Sequence, residues 1–326
     1  MLLLLTALLC VSACVTGGAT SAEEYFSLGM AYYDQGKYAE AERWLNRARM
    51  MDKTRVASEY NLGRIAYETG RYEDAVRYFE RALARDADNV LALKAAAYSR
   101  IKIGDLAGAE ELYERVLALE PESADQGYNY ALVLMALEKP DKAEEALLKY
   151  KITMVENKNS LLLLARAQKA QNKVEAADTY NEWLQGNNDA KVRYEYAQVL
   201  ESAEFYAKAL EEYRAVIAAL PQGQTSADPA SPVRTDVRVT AARLLLIADP
   251  EKNDGIAELE TAVTEGLTDT EKLTALLEEP GICAEHKDEI RRIIEGIEKA
   301  KAAVPETTEE PPAEGEEGAE PAPGAL

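Results

Sequence analysis

The sequence has little of what enzyme active sites and metal sites are usually built from. Histidine occurs once, as His286, and cysteine occurs three times in 326 residues. One histidine cannot supply a Ser–His–Asp triad or a histidine-based metal cluster, although chemistry carried by carboxylates alone stays open. Glycine-rich phosphate loops and dinucleotide-binding fingerprints are missing as well. These absences predict a protein that is not an enzyme and that holds neither a cofactor nor a metal.

Positive charge is also scarce. The chain has 37 Lys and Arg residues against 58 Asp and Glu residues, which gives a formal net charge of −21. Nucleic-acid phosphates require surfaces rich in Lys and Arg, so this charge argues against a nucleic-acid partner. It also disfavours docking of the protein surface on anionic lipid. Basic proteins are the natural complement.

The N-terminal segment is apolar and leads to a cysteine. Residues 2–9 are almost wholly apolar, and the small residues Ser12 and Ala13 precede Cys14. This segment resembles a bacterial lipoprotein signal peptide with its lipobox. The resemblance implies a signal peptide over residues 1–13, cleavage before Cys14 and a lipid on the Cys14 thiol. Such a lipid would anchor the protein on a membrane essentially permanently.

The cellular address follows from the same resemblance. Val15, rather than Asp, after the cysteine resembles lipoproteins of the outer membrane, so we expect a periplasm-facing, lipid-anchored protein with a tether over residues 14–21. A membrane-spanning helix over residues 2–15 would be roughly 21 Å long, short of the roughly 30 Å hydrocarbon core. An ordinary secretory signal stays open. Because no Lys or Arg precedes the apolar run, either the true start lies upstream or the export signal is weak.

The remaining cysteine predicts no disulfide. If Cys10 leaves with the signal peptide and Cys14 carries lipid, Cys283 is alone and no intramolecular bridge can form. Cys283 and His286 lie three residues apart, on one face if the segment is helical, so a Cys–His catalytic pair is conceivable. The spacing fits better with an exposed helix start and a partly buried thiol.

One unit is written twice between residues 25 and 87, at a spacing of 34 residues. The repeated positions are Leu28 and Leu62, Gly29 and Gly63, Gly36 and Gly70, Tyr38 and Tyr72, Ala41 and Ala75, and Ala48 and Ala82. This pattern resembles the tetratricopeptide repeat, whose unit has that length. The resemblance implies an all-α, right-handed solenoid of helix-turn-helix repeats. Short helices of this kind gain their stability from packing on their neighbours.

The repeat pattern divides the chain as follows. Six repeats over residues 22–221 begin at Ala22, Val56, Val90, Ala124, Lys158 and Ala190; a loop follows at 222–232, a degenerate seventh repeat with capping helices at 233–303, and a disordered acidic Pro/Glu tail at 304–326. The fifth repeat is two residues short, which predicts a distortion near Gly186 to Asn188. Its Asn181 is polar where the pattern has a large apolar residue, so we expect a loose or slightly rotated second helix.

In this family the first helix of each repeat lines a concave groove, and the matching positions here are rich in tyrosine, arginine and lysine. The predicted groove residues are Phe26, Met30, Tyr33, Tyr60, Asn61, Arg64, Tyr67, Lys94, Tyr98, Tyr128, Asn129, Arg166 and Tyr194. Tyrosine and arginine dominate binding hot spots because they bury a large area and still satisfy a polar end. An unremarkable groove lining without a partner stays open as the alternative.

The two-carboxylate clamp of chaperone-binding members of the family gives a sharper test. Asn61 matches the middle element of that clamp. The first repeat, however, has Phe26 and Met30 where Lys and Asn are needed, and the third has Leu91 and Ala95 where Lys and Arg are needed. Recognition of a free C-terminal carboxylate in that manner is therefore disfavoured. A partner segment that lies extended or helical over aromatic side chains fits better.

The sequence thus favours a lipid-anchored envelope scaffold that binds other envelope proteins in its groove, in outer-membrane, pilus or cell-wall machinery. The alternative is an accessory protein that binds a small ligand for a periplasmic transport system. Met30 and the tyrosines would allow it.

Overall fold

The computed structural model describes residues 21–150, 158–223 and 231–303. The predicted signal peptide, the tether up to residue 20, residues 224–230 of the predicted loop and the predicted tail lie outside the described residues. The lipidation residue Cys14 is among them.

The described residues form 16 α-helices and no strand. The helices are α1 (Ala22–Asp34), α2 (Tyr38–Met51), α3 (Val56–Glu68), α4 (Tyr72–Leu83), α5 (Val90–Lys102), α6 (Leu106–Leu119), α7 (Ala124–Ala136), α8 (Pro140–Tyr150), α9 (Lys158–Ala170), α10 (Glu175–Leu184), α11 (Ala190–Ser202), α12 (Tyr206–Ala219), α13 (Arg234–Ala248), α14 (Asp254–Thr264), α15 (Glu271–Glu278) and α16 (Ala284–Ala303). Each of the first six repeats is one helix pair, so the predicted all-α solenoid of helix-turn-helix repeats is confirmed. No helix in the described ranges combines the length and apolar character needed to cross a bilayer.

The chain divides into two compact units between Asn188 and Asp189. Helices α1 to α10 lie in the first unit, and α11 to α16 lie in the second. The division falls beside Gly186, whose φ of 112° only glycine adopts readily. This is the place where the shortened fifth repeat predicts an irregularity.

The turn inside each of the first six repeats has the same backbone geometry. In the second repeat, Gly70 has φ 75°, and the N–H of Arg71 donates to the carbonyl of Ala66 at 2.8 Å, which satisfies the end of α3. The residues with positive φ in the six turns are Gly36, Gly70, Gly104, Glu138, Asn172 and Glu204. Three of the six turns therefore keep this conformation without glycine.

Within a repeat, a small residue on the first helix lies against a large one on the second. A Cβ placed on Gly29 would lie 2.7 Å from Leu45 Cγ, and one on Gly63 would lie 2.6 Å from Phe79 Cε1. Leu45 and Phe79 are almost completely buried. Glycine thus lets the two helices approach until a large side chain fills the space between them.

The fifth repeat follows a shifted register. Its second helix, α10, buries Ala176 and Tyr180 completely, whereas the pattern places Ala177 and Asn181 at those positions. Asn181 is exposed. Burying an amide without partners is costly and burying a tyrosine ring is favourable, so the helix turns by one residue. The slight rotation expected from Asn181 is therefore observed, and Ala177 remains buried at 8% exposure.

Neighbouring repeats in the first unit are joined by a recurring ion pair. A glutamate on the second helix of one repeat meets a basic residue just before the second helix of the next, 29 residues later. The pairs are Glu42–Arg71 at 2.7 Å, Glu110–Lys139 at 2.6 Å and Glu144–Lys173 at 2.6 Å. Burial by itself would raise the pKa of Glu144, but hydrogen bonds from Lys173 and Gln171 outweigh it and hold that pKa below its ordinary value.

In the second unit, α13 and α14 form the predicted further pair, and α15 and α16 pack against it. The second helix of this pair, α14, covers Asp254–Thr264. Ala242 of α13 is completely buried at the close approach to α14, where a Cβ on Gly255 would lie 2.9 Å from the Ala242 carbonyl oxygen. Arg243, the next residue on α13, pairs with Glu201 and Glu279.

Candidate functional site

The first helices of neighbouring repeats place predicted groove residues in contact. Arg64 of α3 donates from Nη2 to the Tyr33 hydroxyl of α1 at 2.9 Å. Asn129 of α7 donates from Nδ2 to the Tyr98 hydroxyl of α5 at 2.8 Å. Each contact spans two successive repeats, so these side chains form part of one continuous surface in the first unit.

A cavity of about 280 Å³ opens on this surface between the second and third repeats. Its lining residues are Arg64, Tyr67, Glu68, Phe79, Ala95 and Tyr98. Three of them, Arg64, Tyr67 and Tyr98, are predicted groove residues. The small side chain of Ala95 leaves the space, and the ring of Phe79 provides its apolar floor. We call this group the Tyr67 cavity.

The Arg64 guanidinium is the charged group at the Tyr67 cavity that is held most firmly. It lies 4.4 Å from the centre of the Tyr33 ring and donates to Asn61 Oδ1 at 3.1 Å. Burial raises the pKa of the Tyr33 hydroxyl, although Arg64 acts in the opposite direction. Across the described parts of the chain, Arg64 makes no ion pair with a carboxylate. It therefore keeps hydrogen-bond donors and a positive charge for a ligand.

The tyrosines at this cavity are also fixed by ring contacts. Tyr67 packs edge-on against Tyr72 with ring centres 5.3 Å apart, and Tyr98 against Tyr113 at 6.3 Å. Tyr98 remains 40% exposed. Ring packing of this kind holds the aromatic faces in place before a ligand arrives, which reduces the entropy lost on binding.

Two predicted groove residues have structural partners instead. Asn61 is 6% exposed and donates from Nδ2 to the Ala57 carbonyl at 2.8 Å, so it supports Arg64 rather than a ligand. Lys94 Nζ lies 2.6 Å from a carboxylate oxygen of Glu120, so its charge is already paired. An internal partner thus satisfies each of these two side chains, and their part in partner binding stays a prediction.

The other predicted residues line the surface outside the Tyr67 cavity. Phe26 is covered by the Arg55 guanidinium at 4.3 Å, and Met30, Tyr60 and Tyr128 pack half-buried against the cores of their repeats. Arg166 is half-buried on α9. Tyr194 belongs to the second unit, where its ring lies 5.7 Å from that of Tyr213.

Family profiles of the tetratricopeptide repeat match three overlapping parts of the chain, residues 27–88, 60–124 and 101–152. Together these matches cover residues 27–152. Repeats of this family serve as scaffolds for protein–protein interaction. A comparison with curated proteins found no significant match.

Solved structures share the tetratricopeptide-repeat architecture. A tetratricopeptide repeat protein from Parabacteroides merdae is 19% identical, with a TM-score of 0.50 over 79% of this chain and 97% of that one. MamA from Desulfovibrio magneticus, from its residue 41 to its end, is 22% identical, with a TM-score of 0.47 over 50% and 93%. At these sequence identities the similarity concerns the fold alone, and it is supported by the first structure, whose TM-score is 0.50.

Sequence reasoning missed half of the Tyr67 cavity. Phe79 matches Leu45 of the first tetratricopeptide repeat and was expected only as a core residue, yet one side of its ring faces the cavity. For Ala95 and Glu68, the sequence does contain a feature that could have indicated a place in the cavity. Ala95 is small where the second and fourth repeats have asparagine, and Glu68 lies one residue beyond Tyr67 on the same helix end.

The Cys283 and His286 side chains do not form a pair in the described structure. His286 is 3% exposed, and its Nε2 lies 3.2 Å from Asn253 Oδ1. The Cys283 thiol is half-buried and lies 4.0 Å from the Pro250 carbonyl oxygen. The expected exposed helix start is wrong for His286, because the ring fills a space beside the start of α14.

Proposed function

We propose that the protein is a lipid-anchored scaffold of the bacterial envelope, facing the periplasm from the outer membrane through a lipid on Cys14. Its first-helix surface binds a segment of another envelope protein. The Tyr67 cavity is the central contact. It receives one side chain of the partner, and the exposed tyrosines beside it bury the flanking residues.

The observation that supports this proposal is the composition of the Tyr67 cavity. Two tyrosines, a phenylalanine ring and an arginine without a carboxylate ion pair in the described ranges lie together with Glu68 at the junction of two repeats. Aromatic and arginine side chains in a fixed, partly desolvated pocket are what protein–protein hot spots consist of. A cavity of about 280 Å³ accommodates one side chain rather than a whole small-molecule ligand.

Photo-crosslinking in living cells tests the proposal. A crosslinking amino acid at Tyr98 should capture a discrete protein, and Arg64→Ala or Tyr67→Ala should reduce that product about tenfold, since hot-spot truncations cost roughly 1–2 kcal/mol or more. Arg77→Ala is the matched control, because Arg77 is an exposed arginine on α4 paired only with Asp74. If the product is unchanged in both cavity variants, or equally reduced in Arg77→Ala, the cavity is not the binding site.

One observation favours the second candidate, a small-ligand accessory protein. A larger cavity of about 560 Å³ lies between α14 and α16 in the second unit, and its walls are mainly apolar, including Val263, Leu267, Ile293 and Ile297. Its size suits a small hydrophobic molecule. Native mass spectrometry of the purified protein should show a bound mass that Leu267→Glu removes. A spectrum with the bare mass alone would reject this candidate.

A further inference from the structure

The first repeat carries a patch of exposed arginine and methionine side chains and two half-buried aromatic rings on α1 and α2. The rings of Tyr25 and Trp44 stack with centres 5.6 Å apart and planes 15° from parallel. Met50 and Met51, at the end of α2, are 73% and 53% exposed. Tyr25, Met50 and Met51 line an open depression of about 670 Å³ together with Arg43, Asn46 and Arg47, and Trp44 lies beside it against Tyr25. The Trp44 patch consists of Tyr25, Arg43, Trp44, Arg47, Met50 and Met51.

The patch is positive in a protein with a formal charge of −21. The Arg43 guanidinium lies 5.5 Å from the Trp44 ring centre, and that of Arg47 lies 5.2 Å from the Tyr25 ring centre. Within the described ranges neither arginine has a carboxylate partner. Glu40 lies one helical turn before Arg43 on the same stripe of α2, roughly 4.5 Å along the helix axis, and forms no ion pair in the described ranges.

Two other nearby carboxylates are each paired with another cation. Glu23 of α1 pairs with Arg55 at 2.6 Å, and Glu42 of α2 pairs with Arg71 at 2.7 Å. The two arginines of the Trp44 patch therefore keep their charge for an external anion. Two exposed methionines beside two cations and two amphipathic rings form a surface with both an apolar and a cationic component.

We propose that the Trp44 patch docks on the surface of an anionic lipid bilayer. The methionines enter the boundary between headgroups and acyl chains, the rings lie at headgroup depth, and Arg43 and Arg47 contact lipid phosphates while their stems cover the rings. This corrects locally the expectation from net charge that the protein surface avoids anionic lipid. Exposed charges farther apart than the Debye length of about 8 Å are largely screened from one another. The negative charges elsewhere on the chain therefore contribute little to the electrostatic potential at the patch.

The choice of lipid over an acidic protein rests on the proposed anchor at Cys14. Tyr25 follows Cys14 by eleven residues, 25 − 14, which span at most roughly 40 Å. A lipid at Cys14 would therefore keep the patch near a membrane at all times. Weak binding by the patch then suffices to orient the first repeat on the bilayer.

Tryptophan fluorescence with vesicles tests the docking independently of the anchor. The full chain carrying Cys14→Ser has no acylation site at that position, and Trp183→Phe leaves Trp44 as the single tryptophan of the two in the sequence. With phosphatidylcholine vesicles that contain phosphatidylglycerol, Trp44 emission should shift to the blue and be quenched by brominated acyl chains. Vesicles of phosphatidylcholine alone should give neither effect. Circular dichroism verifies that the helices remain.

Matched variants attribute the signal to the patch. Arg43→Ala with Arg47→Ala should weaken vesicle binding about tenfold or more, since each arginine near an anionic surface contributes about fivefold. Met50→Ser with Met51→Ser should remove the quenching. Arg77→Ala with Arg214→Ala changes the net charge equally at exposed arginines elsewhere and should leave both readouts unchanged.

Three results would overturn the docking. The first is vesicle binding without a Trp44 shift, which assigns binding to another segment. The second is binding that the patch variants do not weaken. The third is a Trp44 shift with polyglutamate but none with vesicles, which assigns the patch to an acidic protein. Failure of the lipid anchor itself is a separate outcome, because none of these measurements uses an acylated protein.

Discussion

The contact between Gly63 and Phe79 sets the distance between the two helices of the second repeat. A Cβ on Gly63 would come within 2.9 Å of three ring atoms of Phe79. The ring is 1% exposed, packs in the same core as Leu93 and Ala96, and has one side on the Tyr67 cavity. A methyl group added at Gly63 therefore has to push the ring toward that cavity or move the helices apart.

We predict that Gly63→Ala lowers the free energy of unfolding by about 1–3 kcal/mol, the usual cost of overpacking. The higher helix propensity of alanine offsets at most about 1 kcal/mol of that cost. Chemical denaturation followed by circular dichroism measures the change. Gly296→Ala in α16 is the control, because a Cβ there meets nothing within 4 Å and should stabilise the helix slightly. Equal effects at the two sites would refute the close-packing explanation.

The position of a residue in its repeat predicted on which side of the helix the side chain lies, but not which partner the side chain contacts. The positions placed Arg64, Tyr67 and Tyr98 on a common surface, and the structure puts them around one cavity. Position could not show that Asn61 turns back to its own helix or that Lys94 meets Glu120, because those outcomes depend on partners that differ between repeats. The Trp44 patch was not predicted for the same reason. Its two arginines are recognised as unpaired only when the ion pairs of the neighbouring side chains are known.

At the scale of helices, the sequence pattern located most boundaries because each turn has its own chemistry. The predicted starts of α1, α3, α5, α7, α9 and α11 agree with the structure. The register of α10 could not be fixed in advance. The fifth repeat lacks two residues, and the sequence pattern allows this deletion at several positions. The burial of Tyr180 in the structure decides between them.

An ion cluster joins the helices at the start of the second unit. Glu265, just after α14, accepts hydrogen bonds from Arg238 Nε at 2.7 Å and from Arg234 Nε at 2.9 Å. Arg234 also donates to the Leu220 carbonyl at the end of α12 at 2.8 Å. The Glu265 side chain is 9% exposed. These two arginines, Arg238 first, lower the pKa of Glu265 to about 2.

This pKa gives a signed prediction for acid stability. The folded pKa lies below the ordinary value of 4.5, so the Glu265 carboxylate stabilises the fold above about pH 4.5 and loses this effect as the pH falls toward 2. The shift corresponds to about 3 kcal/mol. We expect Glu265→Gln to be less stable than the parent by about 3 kcal/mol at pH 7, because it leaves two buried arginines short of a partner. The difference should shrink between pH 4.5 and 2.

Denaturant unfolding at a series of pH values measures this difference. Glu260→Gln is the control, because Glu260 is exposed on the same helix and has no ion pair in the described parts of the chain. It should match the parent at every pH. A gap between Glu265→Gln and the parent that stays constant from pH 7 to pH 3 would contradict the assigned role.

At the scale of the whole molecule, the two candidate contact surfaces lie on different helices of the same unit. The Tyr67 cavity is formed by α3, α4 and α5, whereas the Trp44 patch is formed by α1 and α2. A protein anchored at residue 14 would present the first repeat to the membrane and the second and third repeats to a partner. The proposed membrane location therefore depends on one cysteine, whereas the Tyr67 cavity as a binding site does not.

We predict that Cys14→Ser abolishes lipid attachment and releases the protein from the membrane fraction of bacteria that express it. The reason is chemical, since serine lacks the thiol that accepts the lipid. Two or more acyl chains hold a protein on a bilayer, whereas the Trp44 patch alone binds weakly and reversibly. Mass spectrometry of the N-terminal peptide and fractionation of the envelope are the measurements. Cys283→Ser is the control, because it removes a half-buried thiol and leaves Cys14 intact. If mass spectrometry finds no acyl chain in the parent protein, the segment around Cys14 is an ordinary secretory signal and the membrane address is wrong, while the repeat scaffold and its Tyr67 cavity stand as they are.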